Sequence, residues 1–295
     1  MAPMASILDP IALFPESHGL DRRYRVVPGD SLDVLDRLPP ESVDLVFADP
    51  PYHLSNGGFT CKGGRRASVD KGAWDVSRGL AEDHAFQLAW LSKVQEILKP
   101  TGTLWVSGTQ HVIFSIGFAL QELGYHLLNT VTWYKPNAAP NLACRFFTHS
   151  TELVLWAAPR RHKKLLHTFH YRDMKEANGG KQMRDVWGLP FEVPEPDGKQ
   201  TVWSLPTPAK SEKAHGSHPT QKPLALLERI VRCSSSPGDL ILDPFSGSGT
   251  TGAAAVGLGR RYLGIERDPA YVDFSRKRIH AAAVAAEERE QQAAS

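Results

Sequence analysis

The chain has 295 residues, of which 41% are hydrophobic, enough to bury one sizeable core. Its formal net charge is only +2, so no global field indicates a polyanionic partner, and any nucleic-acid surface must be a local patch. Cys61, Cys144 and Cys233 lie far apart, with no CxxC pair and no His at zinc-ligand spacing, which argues against a disulfide framework and a structural metal. No apolar run approaches the roughly 20 residues that span a bilayer. We therefore expect a cytoplasmic protein that holds no metal ion.

Alternating short apolar runs and helical patterns fill the first half of the chain. Residues 1–22 lack periodicity and are interpreted as an N-terminal arm. In residues 23–135 we predict strands at 24–27, 43–48, 103–107 and 129–133, with helical segments at 32–38, 81–98 and 112–123. This alternation predicts an α/β fold with a doubly wound, mostly parallel sheet. Ligands of such sheets bind beyond the C-terminal ends of the strands.

The tetrapeptide Asp49-Pro50-Pro51-Tyr52 follows the predicted strand 43–48 and is our catalytic candidate. The two prolines fix the backbone, which leaves the Pro50 carbonyl available to accept a hydrogen bond from a substrate. Asp49 offers a second acceptor, and Tyr52 offers a ring for stacking. An aromatic amino group held between the two acceptors would direct its nitrogen lone pair at an electrophile.

A basic region with interleaved aromatic residues follows, and we interpret residues 136–217 as an insertion. From Lys135 to Trp187 there are ten Lys or Arg against four Asp or Glu, and the interleaved aromatic residues are Trp156, Phe169, Tyr171 and Trp187. Cations neutralise phosphates and aromatic rings stack on bases, so the region is a candidate DNA surface. A solvated basic face remains the alternative. The candidate contacts are Lys135, Arg145, Arg160, Arg161, Lys163 and Lys164.

A second site is predicted in residues 218–282. A helix at 224–231, a strand at 239–242, the glycine-rich turn DPFSGSGTT, a helix at 250–258 and a strand at 262–265 follow one another. Gly247 and Gly249 permit a tight turn close to a ligand, and Glu266 lies about 20 residues on, where a carboxylate binds ribose hydroxyls. The spacing leaves a dinucleotide open, whereas the absence of a phosphate loop disfavours ATP. A helix from about Pro269 runs into residues 283–295, a tail that we expect to fray.

Four motifs in this order resemble the DNA amino-methyltransferases of the class in which DPPY precedes FxGxG. They are DPPY (49–52), HPTQKP (218–223), FSGSG (245–249) and GIER (264–267). The resemblance implies S-adenosylmethionine as cofactor and a circularly permuted Rossmann-like methyltransferase fold. It also implies methyl transfer to adenine N6 in double-stranded DNA by base flipping. The composition of residues 56–75, rich in glycine and basic residues, separately predicts a mobile loop next to DPPY that closes over an extruded base.

The resemblance further implies individual roles around the cofactor. Phe245, Gly247 and Gly249 would wrap its methionine part, and Glu266 would accept from its ribose. His218, Thr220 and Lys222 would lie near the methionine carboxylate and Asp30 near the adenine. The remaining expected cofactor contacts are Asp49, Asp243, Thr250 and Arg267.

Two alternatives to adenine methylation stay open at this point. Cytosine N4 presents the same amino geometry to DPPY, and a non-catalytic DNA-binding protein of the same fold would carry similar patterns. We rank adenine first because family members with Asp in the first motif position are more often adenine-specific. A homodimer and a cognate restriction endonuclease are further partners that the resemblance leaves open.

Overall fold

The computed structural model describes residues 9–15, 23–52, 55, 59–62, 65–68, 75–138, 140–142, 144–159, 164–188, 191–195, 198–202, 205–209, 211–213 and 220–294. The strands are β1 (Tyr24–Pro28), β2 (Val43–Ala48), β3 (Phe59–Lys62), β4 (Arg65–Ser68), β5 (Leu98–Gly108), β6 (His126–Tyr134), β7 (Thr151–Ala158), β8 (Val186–Trp187), β9 (Phe191–Glu195), β10 (Gly198–Val202), β11 (Leu240–Asp243) and β12 (Arg261–Glu266). The helices are α1 (Ser31–Leu35), α2 (Leu80–Ile97), α3 (Ile113–Glu122), α4 (Tyr171–Ala177), α5 (Leu224–Ser234), α6 (Thr250–Gly257) and α7 (Pro269–Ala294).

Eight of these strands form one sheet in the order β1-β12-β11-β2-β5-β7-β6-β8. The first five in this order are parallel to their neighbours, and β7 runs antiparallel between β5 and β6. The late strands β11 and β12 lie between β1 and β2, so the two ends of the chain share the sheet. The predicted doubly wound, mostly parallel α/β sheet is confirmed.

Helices cover both faces of the sheet because alternate strand residues point to opposite sides. In β2, Val46 and Ala48 join the core under α1, α2 and α3, whereas Leu45 and Phe47 join the core under α5, α6 and α7. Both faces are therefore closed, and the open edge formed by the strand ends is left for a ligand. No helix in the part of the chain described above combines the length and apolar character needed to cross a membrane.

The predicted insertion at 136–217 is wrong in its N-terminal boundary. Strand β7 lies inside it, yet β7 pairs with both β5 and β6 in the main sheet. Trp156, which we expected on a DNA-facing surface, is buried and stacks on Trp105 with ring centroids 4.8 Å apart. Strand β7 therefore belongs to the core, and a backbone hydrogen bond from Lys135 to Ser150 closes its connection to β6.

Two further segments differ from expectation. Helix α7 continues to Ala294, and Ala283 and Ala286 are buried, so the predicted frayed tail at 283–295 begins inside a packed helix. Within the predicted loop 56–75, β3 and β4 pair as an antiparallel hairpin.

Candidate active site

The C-terminal ends of the parallel strands surround a cavity of about 790 Å³. Strand β2 leads into the DPPY tetrapeptide, β11 into the glycine-rich turn and β12 into Glu266. The structure therefore brings both predicted sites into one cavity. Its lining includes the predicted residues Asp30, Asp49, Pro50, Pro51, Tyr52, Thr220, Lys222, Asp243, Phe245, Gly247, Thr250, Glu266 and Arg267.

Three donors converge on the carboxylate of Asp49. The Tyr52 hydroxyl donates to Oδ1 at 2.5 Å and the Ser107 hydroxyl to the same oxygen at 2.6 Å. The Lys222 ammonium donates to Oδ2 at 2.6 Å. An ionised carboxylate has about four lone-pair sites, so the geometry fixes Asp49 and still leaves it one acceptor site.

Lys222 lies on the DPPY side of the cavity. Its side chain is buried, and its ammonium is 3.0 Å from the Tyr52 hydroxyl as well as bonded to Asp49. Burial alone lowers the pKa of this ammonium, but the carboxylates of Asp49 and Glu152 outweigh burial and raise it above its ordinary value. Lys222 therefore stays charged. It pairs with Asp49, whereas we expected it to face the methionine carboxylate of the cofactor.

Glu152, the second residue of β7, connects the catalytic cluster (Asp49, Tyr52, Ser107 and Lys222) to Lys135, the residue that follows β6. Its Oε1 accepts from the Lys135 ammonium at 3.0 Å, and its Oε2 lies 3.6 Å from the Lys222 ammonium. Oε2 is buried and accepts no hydrogen bond from the described residues. Two cations and two carboxylates thus alternate in the order Lys135, Glu152, Lys222, Asp49.

Asp75 holds the backbone of the DPPY tetrapeptide in place. It is fully buried, and its carboxylate accepts from the backbone N–H of Tyr52 at 2.9 Å and from the Ser55 hydroxyl at 3.0 Å. Burial, followed by the charges of Asp49 and Glu152, raises the pKa of the Tyr52 hydroxyl well above its ordinary value. Tyr52 therefore stays neutral and acts as a hydrogen-bond donor to Asp49.

Glu266 holds the glycine-rich turn against the end of β12. Its Oε2 accepts from the backbone N–H of Gly247 at 2.7 Å, and its Oε1 accepts from that of Asp268 at 2.8 Å. Burial raises the pKa of this carboxyl, although the neighbouring backbone N–H groups oppose the shift. Each oxygen keeps a further lone pair that a ligand hydroxyl can use.

Asp243, the last residue of β11, is buried on the same side of the cavity. Its carboxylate accepts from the Thr251 hydroxyl at 2.6 Å and from the backbone N–H of Phe245 at 3.0 Å. Burial raises the pKa of Asp243 to about 7 in spite of these two donors. A cation in the cavity would favour its ionised form.

Gly249 does not line the cavity, although we expected it to contact the cofactor. It has a φ of 70°, and a Cβ there would lie 2.8 Å from the Cβ of Ser275. Its role is to let the chain turn into α6 against α7. Next to it, the Thr250 hydroxyl accepts from Arg278 at 2.7 Å and lies 3.3 Å from the Lys222 carbonyl, which joins α7 to the HPTQKP segment.

The predicted DNA contacts have different environments. Arg145 and Lys164 are exposed. Lys135 is mostly covered, because its ammonium pairs with Glu152 next to the catalytic cluster, and this position differs from the phosphate contact we expected. Arg160, Arg161 and Lys163 lie outside the described residues, as does His218.

Three residues that contact the tetrapeptide or its cluster were missed from the sequence. Ser107 ends the predicted strand 103–107, and the rule that strand ends carry ligands would have identified it. Glu152 was hidden because we placed β7 outside the sheet. Asp75 follows a glycine-rich and basic stretch, and no pattern in the sequence identified it.

A family model described as DNA methylase matches residues 43–277 of this chain. Type II methyltransferase M2.DpnII of Streptococcus pneumoniae is 49% identical over 256 residues, which cover 87% of this chain and 89% of that protein. Type II methyltransferase M2.LlaDCHI of Lactococcus lactis subsp. cremoris is 48% identical over 255 residues, which cover 86% of this chain and 88% of that protein.

A solved structure has a similar backbone. The crystal structure of the M1.HpyAVI–SAM complex matches with a TM-score of 0.57 and 25% sequence identity, over 87% of this chain and 98% of that chain. The similarity to these proteins thus spans both the DPPY segment and the glycine-rich turn.

Proposed function

The chain belongs to the DNA methylase family of N6 and N4 methyltransferases, and we propose that it methylates the N6 amino group of adenine. It is an S-adenosylmethionine-dependent, site-specific DNA methyltransferase with a Rossmann-like methyltransferase fold. The observation that carries the proposal is the single cavity that holds both Asp49 and Glu266. Aspartate in the first position of DPPY favours adenine over cytosine N4.

The residues of the cavity fit S-adenosylmethionine. Glu266 has lone pairs left for ribose hydroxyls, and Asp243 is a carboxylate that suits the amino or sulfonium cation of the methionine part. Leu32, Phe245 and Ile265 supply apolar surface for an adenine ring. A cavity of about 790 Å³ also lies within the usual range for sites of this kind. When bound, the cofactor supplies an electrophilic methyl group.

In our proposal, Asp49 and the Pro50 carbonyl accept the two hydrogens of the target amino group. Support comes from the lone-pair site that Asp49 keeps and from the three donors that hold its carboxylate in place. Holding the amino group between two fixed acceptors directs its nitrogen lone pair at the methyl donor. The Tyr52 ring lines the same cavity and is available to the base.

The proton that leaves the methylated nitrogen goes to the nearest acceptor, which we assign as Asp49. Lys222 does not compete for it, because the neighbouring carboxylates keep the ammonium charged. Lys222 is instead a positioning residue that orients the Asp49 carboxylate through Oδ2. The Ser107 hydroxyl, which is uncharged, does the same through Oδ1.

The target base must leave the duplex before its amino group reaches the cavity, at a cost of a few kcal/mol. We assign phosphate contacts to the exposed Arg145 and Lys164 and to Arg160, Arg161 and Lys163. These contacts hold the duplex and set its register, but base contacts determine the recognition sequence.

Partners other than DNA are further proposals. The relatives are type II methyltransferases, and we propose that this chain also works beside a restriction endonuclease with the same target sequence. The exposed side chains of Leu80, Phe114 and Phe118 on α2 and α3 support a homodimer, which sedimentation analysis would detect. We assign the protein to the cytoplasm, where bacterial DNA is found.

Methyl transfer from labelled S-adenosylmethionine to mixed-sequence genomic DNA tests the proposed function. The DNA is then hydrolysed and the labelled nucleoside is identified by mass spectrometry. We expect N6-methyldeoxyadenosine. N4-methyldeoxycytidine would refute adenine as the target base, and no label in DNA would favour a non-catalytic DNA-binding protein.

A further inference from the structure

The loop between β6 and β7, residues 135–150, emerges beside the catalytic cluster. Its first residue, Lys135, is tied to the cluster through Glu152, which lies 3.6 Å from Lys222, and Lys222 lies 2.6 Å from Asp49. The Lys135 N–H also bonds to the Ser150 carbonyl at 2.7 Å, which closes the base of the loop. The base of this loop therefore lies close to the place where Asp49 would receive a base.

The loop exposes an aromatic ring to solvent. Phe147 is 96% exposed, and Phe146 beside it is 59% exposed. Rings of this size are normally buried, because apolar surface in water is unfavourable. Phe146 and Phe147 are adjacent and both exposed, in a loop whose base is tied through Glu152 to Lys222, so together they form an apolar patch that a partner can cover.

The backbone before Phe147 is held in a defined turn. The Asn141 side-chain amide donates to the Phe146 carbonyl at 2.6 Å, and Cys144 has a φ of 52°. The Phe146 ring lies against His149 with a centroid distance of 5.3 Å. Phe146 is thereby part of the loop's own packing, whereas Phe147 projects beyond it.

The charge of the loop suits DNA. Besides Lys135, which pairs with Glu152, residues 135–150 contain Arg145 and His149 and no aspartate or glutamate. Arg145 is exposed two residues before Phe147. A cation next to an apolar ring is the combination that contacts a phosphate and enters a base stack together.

We propose that Phe147 inserts into the duplex and fills the gap that the extruded target base leaves. The inference rests on the proposed function, because it requires base extrusion. The inserted ring stacks on the two neighbouring bases and so offsets part of the unstacking that extrusion requires. Arg145 holds the adjoining phosphate while the ring is inserted.

Phe147→Ala is tested on two duplexes that differ only opposite the target base. Both carry the recognition sequence, which single-molecule sequencing of DNA from an expressing host identifies. One duplex is fully paired, and in the other the target base faces an abasic site, which makes extrusion less costly. We expect Phe147→Ala to lower kcat/KM on the paired duplex by about tenfold, the effect of one base–aromatic stack. On the abasic duplex we expect a loss of less than about threefold.

Two variants serve as controls. Phe147→Trp keeps a ring and should retain the wild-type rate on both duplexes. Leu142→Ala removes another half-exposed apolar side chain from the same loop and should change neither rate. 2-Aminopurine at the target position should brighten on binding to the wild type and less on binding to Phe147→Ala.

Several outcomes would overturn the proposal. If Phe147→Ala lowers kcat/KM equally on both duplexes, or if Leu142→Ala lowers it as much as Phe147→Ala does, the loop contributes only nonspecific apolar contacts to DNA. A change in sedimentation of Phe147→Ala would assign the ring to a contact between copies of this chain. If the wild type methylates neither duplex, the proposed function itself fails. If the wild type methylates both duplexes and Phe147→Ala does so equally well, the proposed function stands and only the role of Phe147 is refuted.

Discussion

The side of the cavity that we assign to the cofactor depends on two carboxylates at the ends of neighbouring strands, of which Asp243 is buried and Glu266 half-buried. Glu266 ends β12 and binds two backbone N–H groups, whereas Asp243 ends β11 and binds one N–H and a hydroxyl. Burial raises the pKa of both. We expect Glu266 to affect cofactor affinity and Asp243 to affect the pH dependence of stability, and both effects can be measured.

Glu266→Gln should weaken S-adenosylmethionine binding by about 1.5 to 3 kcal/mol, the range for hydrogen bonds to a charged group. Glutamine keeps the size of the side chain and one acceptor for the Gly247 N–H, so the turn should persist. Calorimetry with the cofactor measures the loss, and a separate DNA titration should show unchanged affinity. Wild-type cofactor affinity in the variant would mean that the ribose is held by other residues.

Asp243 should make the cofactor-free protein less stable as the pH rises. Its pKa in the folded protein is about 7, above the ordinary carboxyl value, so the folded chain binds more protons than the unfolded chain between about pH 4 and 7. The free energy of unfolding therefore falls with rising pH, by at most about 1.4 kcal/mol per pH unit from this group. Its contribution is fully present below the unfolded pKa and lost as the pH rises through about 7.

Asp243→Asn removes this titration and leaves a side chain of similar size. Urea unfolding at pH 5, 6, 7 and 8 should give a shallower decline in stability for the variant than for the wild type. Parallel curves for the two proteins would show that Asp243 is ionised throughout this range.

At the scale of the elements, the turn from β11 into α6 depends on the left-handed backbone of Gly249. Gly249→Ala should destabilise the protein by about 1 to 3 kcal/mol, because a Cβ at that φ is strained and meets Ser275 at 2.8 Å. The control is Gly257→Ala in the same helix, where the nearest atom lies 3.9 Å from the added Cβ. It should be neutral or stabilising by up to about 1 kcal/mol. Equal effects in chemical denaturation would contradict this assignment.

Strongly apolar or periodic segments were predicted well from the sequence. The strand predicted at 43–48 matches β2, and the strand at 262–265 lies within β12. Strand β7 was missed because proline, aromatic and basic residues flank it on both sides, although its apolar run TELVLWAA (151–158) is plainly buried. Local pattern cannot show that this run inserts between β5 and β6, because the pairing depends on distant residues.

The same limit applies to the site. The motifs identified Asp49, Asp243 and Glu266, because a functional acid at a strand end has a short-range signal. Apart from their hydrogen bond to each other, Asp49 and Tyr52 have partners that lie 23 to 173 positions away in the sequence. Ser107, Asp75 and Lys222 meet the tetrapeptide only after the sheet has formed, and the pairing of Lys222 with Asp49 could not be predicted from spacing.

At the scale of the whole molecule, a net charge of +2 means that DNA binding depends on local patches. Arg160→Ala combined with Arg161→Ala should weaken DNA binding and reduce the slope of log K against log salt by about two, since each phosphate contact contributes about 0.9. Lys277→Ala combined with Arg289→Ala on α7 removes the same charge from exposed positions and should leave the slope unchanged. Equal slopes for both double variants would mean that the basic cluster is a solvated face.

Asp49 and Glu266 are far apart in the sequence and line one cavity, and we propose that Asp49 binds the target amino group while the segment around Glu266 binds the cofactor. Single-turnover methyl transfer by Asp49→Ala, with S-adenosylmethionine bound beforehand and DNA in excess, separates these roles. We predict a transfer rate at least about a hundredfold below wild type, with cofactor affinity within about threefold. A near-normal transfer rate, or a parallel loss of cofactor binding, would contradict the assignment of Asp49 to the target amino group.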